Sequence, residues 1–385
     1  MDALITGTGI TQFGMFVDTP LRRLASEAAD RALDDAGVDA DQIGLVLFGN
    51  AAAGLITGQE MIRAHTALGL SRVAGRPMIS VENACASSSS AFHLAVLAVA
   101  SGAYDTVLVV GAEKMTSTDR SRAAKALAAA LDVESSGSAG DGPVFMEIYA
   151  AEARSYMQRC GATARDLAAV AAKSLHNGSL NPIAQHRRAM TADDVLAARM
   201  IVDPLTRPMC SSIGDGAAAV VVTRPDRSDP GSSPGVRVLA SAVGAARAGD
   251  TGDVVARTAR SAYEQAGVEP SDIDVCELHD AAAPAELVIA EELGLVPAGQ
   301  GVSLIRSGNS AIGGRLPINP SGGLIARGHP VGATGVAQIV ELAEQLRGRA
   351  GPRQTTSARI ALAENAGGSL GNGPAACSIT ILGVP

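Results

Sequence analysis

Aromatic residues are scarce in this 385-residue chain, which contains four tyrosines, five phenylalanines and no tryptophan. Sites that rely on aromatic stacking are therefore not expected, and the core must consist mainly of Ala, Val, Leu and Ile. Basic residues are also outnumbered, with 31 Lys and Arg against 39 Asp and Glu and a net charge of −8. Because nucleic acids and anionic membranes bind a cationic face, this charge argues against both as partners.

The five cysteines are far apart, odd in number and never in a Cys-x-x-Cys pair. This excludes a disulfide framework and a zinc finger, and it is typical of a protein in a reducing cytoplasm. No apolar run reaches the roughly 18 to 20 residues that cross a bilayer. The N-terminal stretch shows no basic segment followed by an apolar one, so we expect no signal peptide and no membrane association.

An internal repeat relates residues 25–52 to residues 255–282. Each copy predicts an amphipathic helix that ends at a glycine, a turn with an aspartate shortly before an isoleucine, and a short apolar strand. The order of helix, glycine, aspartate and strand is the same in both copies, which chance rarely produces. The matched pairs, all at an offset of 230, are Gly37 with Gly267, Val38 with Val268 and Ile43 with Ile273.

Helices and strands alternate in both halves, which predicts an α/β fold with right-handed crossovers and a mostly parallel sheet. Two such halves, 1–223 and 236–385, can pack helix to helix as a duplicated α/β/α/β/α body of five layers. The Pro-, Gly- and Ser-rich stretch 224–235 separates them as a linker. Residues 114–210 do not repeat, and we expect this inserted segment to cover a functional site.

Cys85 is the first candidate for chemistry. It lies in Asn83-Ala-Cys-Ala-Ser, just before an apolar helix expected at 88–101. The helix dipole and free backbone N–H groups at that point lower a thiol pKa and favour a nucleophilic thiolate. A small, inert core side chain is the alternative interpretation.

Two histidines have a comparable context. His329 lies in a Gly- and Pro-rich loop, 322–335, that opens a helix but lacks the Gly-x-Gly-x-x-Gly nucleotide fingerprint. His279 closes an apolar strand, and sites gather at the carboxyl ends of parallel strands. Each also fits a turn or strand-end residue without a chemical role. The histidines and acids show no metal-ligand spacing on one helix, so no metal site is expected.

A glycine run, Glu364-Asn-Ala-Gly-Gly-Ser-Leu-Gly, follows the last-but-one predicted strand. Its backbone N–H groups can form an oxyanion hole, although a simple hairpin turn would have the same composition.

Together these motifs resemble the thiolase family over nearly the whole chain. Two of them, Asn319-Pro-Ser-Gly-Gly and Gly328-His-Pro-Val-Gly-Ala-Thr-Gly, are highly specific and lie a few residues apart. The insert, with Lys173-Ser-Leu-His-Asn-Gly-Ser-Leu-Asn-Pro and Asp203-Pro-Leu-Thr-Arg-Pro, resembles the loop domain of the sterol-carrier-type and archaeal thiolases. The tract Gly313-Gly-Arg-Leu-Pro-Ile-Asn-Pro-Ser-Gly-Gly is similar to the archaeal branch in particular. The other matches are Ala-Cys-Ala-Ser around Cys85, Gly-Asp-Gly-Ala-Ala at 214–218 and His279-Asp-Ala.

This resemblance implies a role for each candidate. Cys85 is acylated by an acyl-CoA and His329 accepts its proton, with no covalently bound cofactor. His279 and His329 form one oxyanion hole, and the N–H groups of Cys85 and Gly367 form the other. Coenzyme A would lie under the insert, at substrate-binding residues that the resemblance places at Ser321, Gly322, Gly323 and Met146.

The resemblance also implies a homodimer, with the strand near residues 105–113 as the edge that pairs. In the archaeal-type branch it implies a further small partner with a zinc ribbon and an OB-fold.

The sequence departs from the family at the second acid/base. The cysteine that deprotonates the nucleophilic acyl-CoA is replaced by Asn365 in one known position and by Ala281 in the other. Cys377 lies in a terminal strand at an expected core position. Glu364 is then a candidate base, provided that burial raises its pKa.

Three functions stay open from the sequence. The first, which we favour, is an enzyme of lipid metabolism that makes or cleaves a C–C bond next to a thioester through an acyl-Cys85. The second is an acyltransferase, a decarboxylative condensing enzyme or a retro-aldolase. The third is a non-catalytic subunit that binds acyl-CoA.

Overall fold

The structure is a computed structural model. It describes residues 2–119, 121–136, 144–227, 235–247, 253–371 and 373–384. Most of the expected linker, residues 228–234, lies outside the described residues. The same holds for 137–143 in the insert.

Eleven strands and fourteen helices make up the described part of the chain. The strands are β1 (Leu4–Ile10), β2 (Leu45–Gly49), β3 (Met78–Val81), β4 (Thr106–Glu113), β5 (Met200–Val202), β6 (Leu205–Thr206), β7 (Gly216–Thr223), β8 (Val236–Ala245), β9 (Val275–Glu277), β10 (Ile360–Gly367) and β11 (Ala376–Gly383). The helices are α1 (Leu21–Ala36), α2 (Ala53–Thr57), α3 (Arg63–Ala67), α4 (Ser87–Ala100), α5 (Ser121–Ala128), α6 (Val133–Ser136), α7 (Val144–Cys160), α8 (Ala164–Ser179), α9 (Ala192–Ala197), α10 (Val254–Ala266), α11 (Ala283–Glu292), α12 (Gly301–Arg306), α13 (Gly323–Ala326) and α14 (Thr334–Leu346).

Nine strands are hydrogen-bonded in the order β3-β2-β4-β7-β1-β8-β11-β10-β9. The contact between β1 and β8 is only two residue pairs long, Leu4 with Arg237 and Ile5 with Val236. This short contact therefore separates a five-stranded sheet in the first half from a four-stranded one in the second.

The expectation of a mostly parallel sheet is wrong. Only the pairs β2–β3, β2–β4 and β9–β10 are parallel, and the other five pairs are antiparallel. The parallel pairs involve strands that follow helical crossovers. The chain then returns to each sheet in the reverse direction, as β7 after the insert and as β11 after a short loop, and neither return needs a crossover.

The sequence repeat is also a repeat of structure. Helices α1 and α10 both end at a glycine in the left-handed region, Gly37 with φ 66° and Gly267 with φ 67°. A 3-10 helix with a capping box follows in each half, at Ala40–Gln42 and at Pro270–Asp272. The strands β2 and β9 come next, so the same local signals produce the same geometry twice.

The layers are those of the predicted α/β/α/β/α fold. Helices α4 and α14 pack against each other in the centre and contact strands of both sheets. Their apolar residues share one core with β1, β2, β4, β7, β8, β9, β10 and β11. Helix α1 covers the outer face of the first sheet, and α10 and α11 cover that of the second.

The insert connects β4 to β7 and holds α5 to α9 and the small β5–β6 hairpin. Its core packs against α11 and α13 of the second half. The spacings Thr163-x-x-Asp166 and Thr191-x-x-Asp194 in the sequence each predict a helix start, and both form capping boxes in the structure. Within the described ranges, no helix has both the length and the apolar character needed to cross a bilayer.

The strand proposed as the free edge, near residues 105–113, is not an edge. It forms β4, which lies between β2 and β7. The free edge of the first sheet is β3, where the Ile79 side chain is 52% exposed.

Candidate active site

Cys85 lies in a sharp turn between β3 and α4. The turn is a short 3-10 helix, Ala84–Ala86, which leads directly into α4. Ala84 has a φ of 48°, an unusual backbone conformation for a residue other than glycine. The hydroxyl of Ser87 accepts a hydrogen bond from the Asn83 N–H at 3.0 Å. This local network holds the turn and places Cys85 on the wall of a cavity.

The N-termini of the two central helices meet at this turn. The N–H of Val336 in α14 donates to Ser88 Oγ in α4 at 3.1 Å. The approach leaves no room for a side chain at Gly335, where a Cβ would lie 2.7 Å from the Ser89 nitrogen. His329 precedes α14 by a few residues, so this contact between the helices places the His329 side chain close to Cys85.

The sequence predicts that Cys85, His279 and His329 converge, and the structure brings them together. The ligand atoms of the three side chains lie within 4.8 Å of one another. The two imidazole rings meet edge to face, with centroids 5.1 Å apart and planes 80° apart. A thiol and two imidazoles from three distant segments thus face one point in space. Their donor types are also those that can hold a transition metal.

The tautomer of His329 follows from its neighbour. Its Nδ1 lies 2.7 Å from Thr334 Oγ1, and that hydroxyl donates to the carbonyl oxygen of Pro330 at 3.2 Å. A hydroxyl has only one proton to give, so Nδ1–H must be the donor to Thr334. The other ring nitrogen, Nε2, is left unprotonated and can accept a proton.

Burial keeps both imidazoles neutral. It lowers the pKa of His279 to about 4. Burial, together with the nearby His279 and the Arg327 guanidinium, lowers the pKa of His329 well below its ordinary value. Neutral imidazoles can act as a base and as a hydrogen-bond partner at physiological pH.

The expectation of a low thiol pKa at Cys85 is wrong for the free protein. Burial raises the pKa of Cys85 to about 12, outweighing the backbone N–H groups of Gly368 and of Cys85 itself, while the Glu113 carboxylate raises it further. The helix start alone therefore does not produce a thiolate. The thiol must lose its proton to a base during the reaction.

Glu113 joins the loops around the site. Its fully buried carboxylate accepts hydrogen bonds from the N–H groups of Ala51 and Ala52 at 2.9 and 3.0 Å. It also accepts from the Asn50 side chain at 2.9 Å and from the Gly332 N–H at 3.0 Å. One side chain of the first half thereby fixes the His329 loop of the second.

The three converging side chains open onto a cavity of about 670 Å³. The insert supplies much of its wall through α5 and α7, including the predicted Met146, and α11 supplies another part. Polar lining residues that the sequence did not identify include Tyr149, Glu152, Ser211 and Glu292. No motif could have identified them, because their exposure to the cavity depends on how the insert packs on the second half.

Glu364 also lines the cavity. It lies within β10, so the strand extends into the glycine run that was expected to follow it. The carboxylate is fully buried and accepts a hydrogen bond from the His279 N–H at 2.9 Å. Burial raises the pKa of Glu364 to about 7, although that N–H lowers it.

The positions of the missing cysteine differ in their access to the cavity. Ala281 lines the cavity. The Asn365 side chain instead accepts a hydrogen bond from Ser89 Oγ at 2.7 Å. Cys377 is buried in β11, 4.0 Å from Glu364, and does not line the cavity as described.

Three of the expected substrate-binding residues have close contacts within the protein. Ser321 is fully buried, and its hydroxyl lies 2.8 Å from a Glu277 carboxylate oxygen. Gly322 and Gly323 have φ values of 99° and 59°, and a Cβ on either would collide with Gly178 or Asp280. None of the three lines the cavity as described. The glycines allow close packing of the loop, and the serine fixes it.

The Gly367 N–H, which the resemblance places in the second oxyanion hole, is not the N–H beside the Cys85 sulfur. Gly367 is paired with Ala376 in the sheet and is not on the described cavity wall. The N–H that faces the Cys85 sulfur belongs to Gly368. A change of one position in a strand turns the N–H to the opposite side, which the sequence pattern does not resolve.

Comparison with known proteins places this site in a family. The family model for the thiolase N-terminal domain matches residues 3–226, and that for the thiolase C-terminal domain-like family matches residues 245–381. The chain therefore belongs to the thiolase family.

Individual relatives are similar over their whole length. An acetyl-CoA acetyltransferase of Methanothermobacter thermautotrophicus is 39% identical, over 96% of this chain and 97% of the relative. The benzoylsuccinyl-CoA thiolase subunit BbsB of Thauera aromatica is 35% identical, over 94% of both chains.

A solved structure, described as the Ltp2-ChsH2(DUF35) aldolase, matches with a TM-score of 0.80. It is 28% identical and covers 100% of this chain and 98% of that chain. Family and relatives together support an acyltransferase-like function on acyl-CoA.

Proposed function

We propose that this protein makes or cleaves a C–C bond next to a thioester, through an acyl group carried on Cys85. The observation that supports this best is the convergence of Cys85, His279 and His329, with ligand atoms within 4.8 Å of one another on a cavity wall. A nucleophile, a base and a hydrogen-bonding group at one point are the components of acyl transfer.

The first half-reaction uses the His329 tautomer. Nε2 of His329 takes the Cys85 thiol proton, and the sulfur attacks the thioester carbonyl of an acyl-CoA. The C–S bond to CoA then breaks, and the CoA thiolate leaves with the proton held by His329. The products are acyl-Cys85 and free CoA, and His329 returns to its starting state.

Two hydrogen-bonding groups can stabilise the oxyanion of this step. The N–H groups of Cys85 and Gly368 lie beside the sulfur.

Nε2 of His279 is buried and has no protein partner among the described residues. An unpartnered buried polar atom on a cavity wall is suited to a substrate oxygen, and we assign it to the enolate of the second substrate.

The second half-reaction needs a base, and Glu364 is our candidate. It lines the cavity and its pKa of about 7 matches that role near neutral pH. Glu364 removes an α-proton from a second acyl-CoA, and the resulting carbanion attacks the acyl-Cys85 carbonyl. The C–S bond to Cys85 then breaks, which releases the 3-oxoacyl-CoA. The Cys85 thiolate takes up one proton and Glu364 gives up the one that it removed, so both groups return to their starting states.

Intact mass spectrometry after exposure to a panel of acyl-CoAs tests the proposal. We expect the chain to gain one acyl group, located at Cys85 by peptide mapping. Absence of any acylated species with every acyl-CoA, or acylation that survives Cys85→Ala, would contradict it.

A second candidate function is cleavage or condensation that needs no second thiol. Among the described residues that line the cavity, Cys85 is the sole cysteine. A similar structure is described as an aldolase. A retro-aldol or decarboxylative reaction generates its carbanion without a cysteine base.

Substrate dependence separates the two functions. A thiolase requires free CoA or a second acetyl-CoA, whereas a decarboxylative enzyme requires malonyl-CoA. A retro-aldolase releases a carbonyl compound without any acyl-Cys85, so its products and mass spectrum differ from both.

The protein assembles as a homodimer in this proposal, through the free edge of β3. This edge has an unpaired side and an exposed Ile79. A further small partner with a zinc ribbon and an OB-fold completes the CoA site, in keeping with relatives described as a subunit and as a DUF35 complex. Light scattering of the chain, alone and co-expressed with such a partner, measures both associations.

A further inference from the structure

We propose that Cys85, His279 and His329 form a three-ligand site for a thiophilic divalent cation, zinc foremost, which blocks the nucleophile reversibly. The proposal concerns inhibition and does not depend on which reaction the protein catalyses.

The donor set is the first argument. Zinc prefers thiolate sulfur and imidazole nitrogen, and three protein ligands with an open fourth position are typical of its accessible sites. Here one thiol and two imidazoles have their ligand atoms within 4.8 Å of one another. The fourth position would face the cavity and take a water molecule.

The separations exceed those of a formed site by no more than about 1.5 Å. Zn–S bonds of about 2.3 Å and Zn–N bonds of about 2.0 to 2.1 Å place tetrahedral ligand atoms roughly 3.3 to 3.7 Å apart. Small side-chain rotations of Cys85 and His279 therefore close the arrangement. His329 already has an oriented ring, since its Nδ1 is hydrogen-bonded to Thr334 at 2.7 Å.

An unpartnered atom at the same point is the second argument. Nε2 of His279 is buried without a hydrogen-bond partner among the described residues, and the His279 side chain lines the cavity. A buried polar atom without a partner costs free energy that a ligand can recover.

The charge of the cavity is the third argument. Its described lining includes four carboxyl side chains and no lysine or arginine. Burial raises the pKa of Glu152 and Glu364 to about 7 and that of Glu292 to about 8, so each of these carboxyls attracts a divalent cation only when it is ionised. The wall offers the cation no competing positive charge. The four carboxyl residues are Glu82, Glu152, Glu292 and Glu364.

The binding step balances as an exchange. Zn²⁺ replaces the thiol proton of Cys85, so a Zn–S bond forms, an S–H bond breaks and one proton is released to solvent. No oxidant or reductant is involved, and a chelator reverses the step.

Cobalt(II), a spectroscopic substitute for zinc, provides the first test. The full chain is treated with a chelator, freed of it and titrated with Co²⁺. We expect one equivalent to produce a thiolate-to-cobalt absorption band in the near ultraviolet. The band should disappear in Cys85→Ala and weaken in His279→Gln. It should be unchanged in Cys160→Ala, a cysteine that does not line the described cavity.

Alkylation of Cys85 with iodoacetamide, followed by peptide mapping, provides the second test. At a free zinc concentration ten times Kd, the rate should fall about tenfold, because only the metal-free fraction reacts. Modification of Cys160 in the same sample should keep its rate.

Both tests proceed without turnover, so they distinguish failure of this proposal from failure of the proposed function. A cobalt band that persists in Cys85→Ala would overturn the metal site. Zinc that leaves Cys85 alkylation unchanged would overturn it as well. Circular dichroism shows whether His279→Gln is folded, and Cys160→Ala gives the reference for a folded variant.

Discussion

The two halves of the molecule share their framework but differ in one connection. In the first half, the chain between β4 and β7 contains the whole insert, whereas the corresponding connection between β10 and β11 spans only residues 368–375. The framework supplies the reacting groups from both halves. The cavity wall depends heavily on the insert through α5 and α7. The proposed reacting groups and much of the cavity wall thus come from different parts of the chain.

The halves also differ in what stands before their central helices. The turn before α4 carries Cys85, the proposed nucleophile, and the loop before α14 carries His329, the proposed base. Because the helix N-termini meet, two copies of one architecture place complementary groups face to face. Variants in each half can test this division of roles.

Removal of the nucleophile should have the largest effect. Cys85→Ala deletes the only cysteine on the described cavity wall, and we expect turnover to fall by at least about 10⁴-fold. Steady-state rates with acetoacetyl-CoA and CoA measure it. Cys160→Ala is the control and should retain activity, while substantial activity in Cys85→Ala would remove the sulfur from the mechanism.

Substitution of His329, the proposed base in the second half, should have the second-largest effect on the rate. His329→Ala should slow acylation by roughly 10² to 10⁴-fold, the usual contribution of a general base. Single-turnover burst kinetics report this step directly. His186→Ala, at a histidine that does not line the described cavity, should leave the burst unchanged. Equal bursts in the two variants would show that another group accepts the proton.

The pH dependence of the second half-reaction should reveal Glu364. A base must be deprotonated, so kcat/KM should fall as the pH drops below about 7. The groups facing Glu364 are the His279 N–H, the Cys377 thiol, Tyr149 and the Glu292 carboxyl.

Glu364→Gln should abolish this pH limb and lower the rate, by roughly 10²-fold if it is the general base. Glu292→Gln is the matched control: its own pKa lies at about 8, and the limb near 7 should persist in this variant. A limb that remains in Glu364→Gln would assign the titration elsewhere.

A cysteine introduced at one of the two family positions for the second acid/base should raise the rate, by a smaller factor than the losses above. Ala281 faces the cavity, and Ala281→Cys should raise acetoacetyl-CoA thiolysis by less than about 100-fold, the lower end for a general base. Asn365→Cys tests the other position, whose side chain points to Ser89, and should give no gain. If neither variant gains activity, the missing thiol does not limit this reaction.

The contact between the central helices should show the smallest effect, on stability. A methyl group at Gly335 would meet backbone and side-chain atoms of Ser89 at 2.7 Å. Gly335→Ala should therefore lower the free energy of unfolding by about 1 to 3 kcal/mol, measured by denaturant titration. Gly69→Ala, whose nearest contact is 3.3 Å away, is the control. Equal stabilities would show that the helices separate easily at this point.

Local signals in the sequence identified much of this structure. The matched glycines Gly37 and Gly267 and the caps at Thr163 and Thr191 depend on neighbouring residues alone, and they are confirmed. The convergence of Cys85 with two histidines followed from the resemblance and from strand-end positions.

Properties that depend on contacts between distant segments could not be predicted from the local sequence. The antiparallel return of β7 depends on the path of the insert. The raised pKa of Cys85 depends on desolvation by surrounding segments. The choice between Gly367 and Gly368 depends on strand register, and the burial of Ser321 depends on Glu277 beneath it.

The hydrogen bonds that Glu113 accepts from both halves have a consequence for dividing the protein into fragments. Its carboxylate is solvated by backbone groups of residues 51 and 52 on one side and of residue 332 on the other. A fragment that ends before α10 would expose this carboxylate to water and lose its distant donor. Neither this fragment nor the complementary one that begins at α10 should have an ordered reaction centre when it is expressed alone. The two fragments mixed together should regain one. The extent of recovery would measure how strongly they associate.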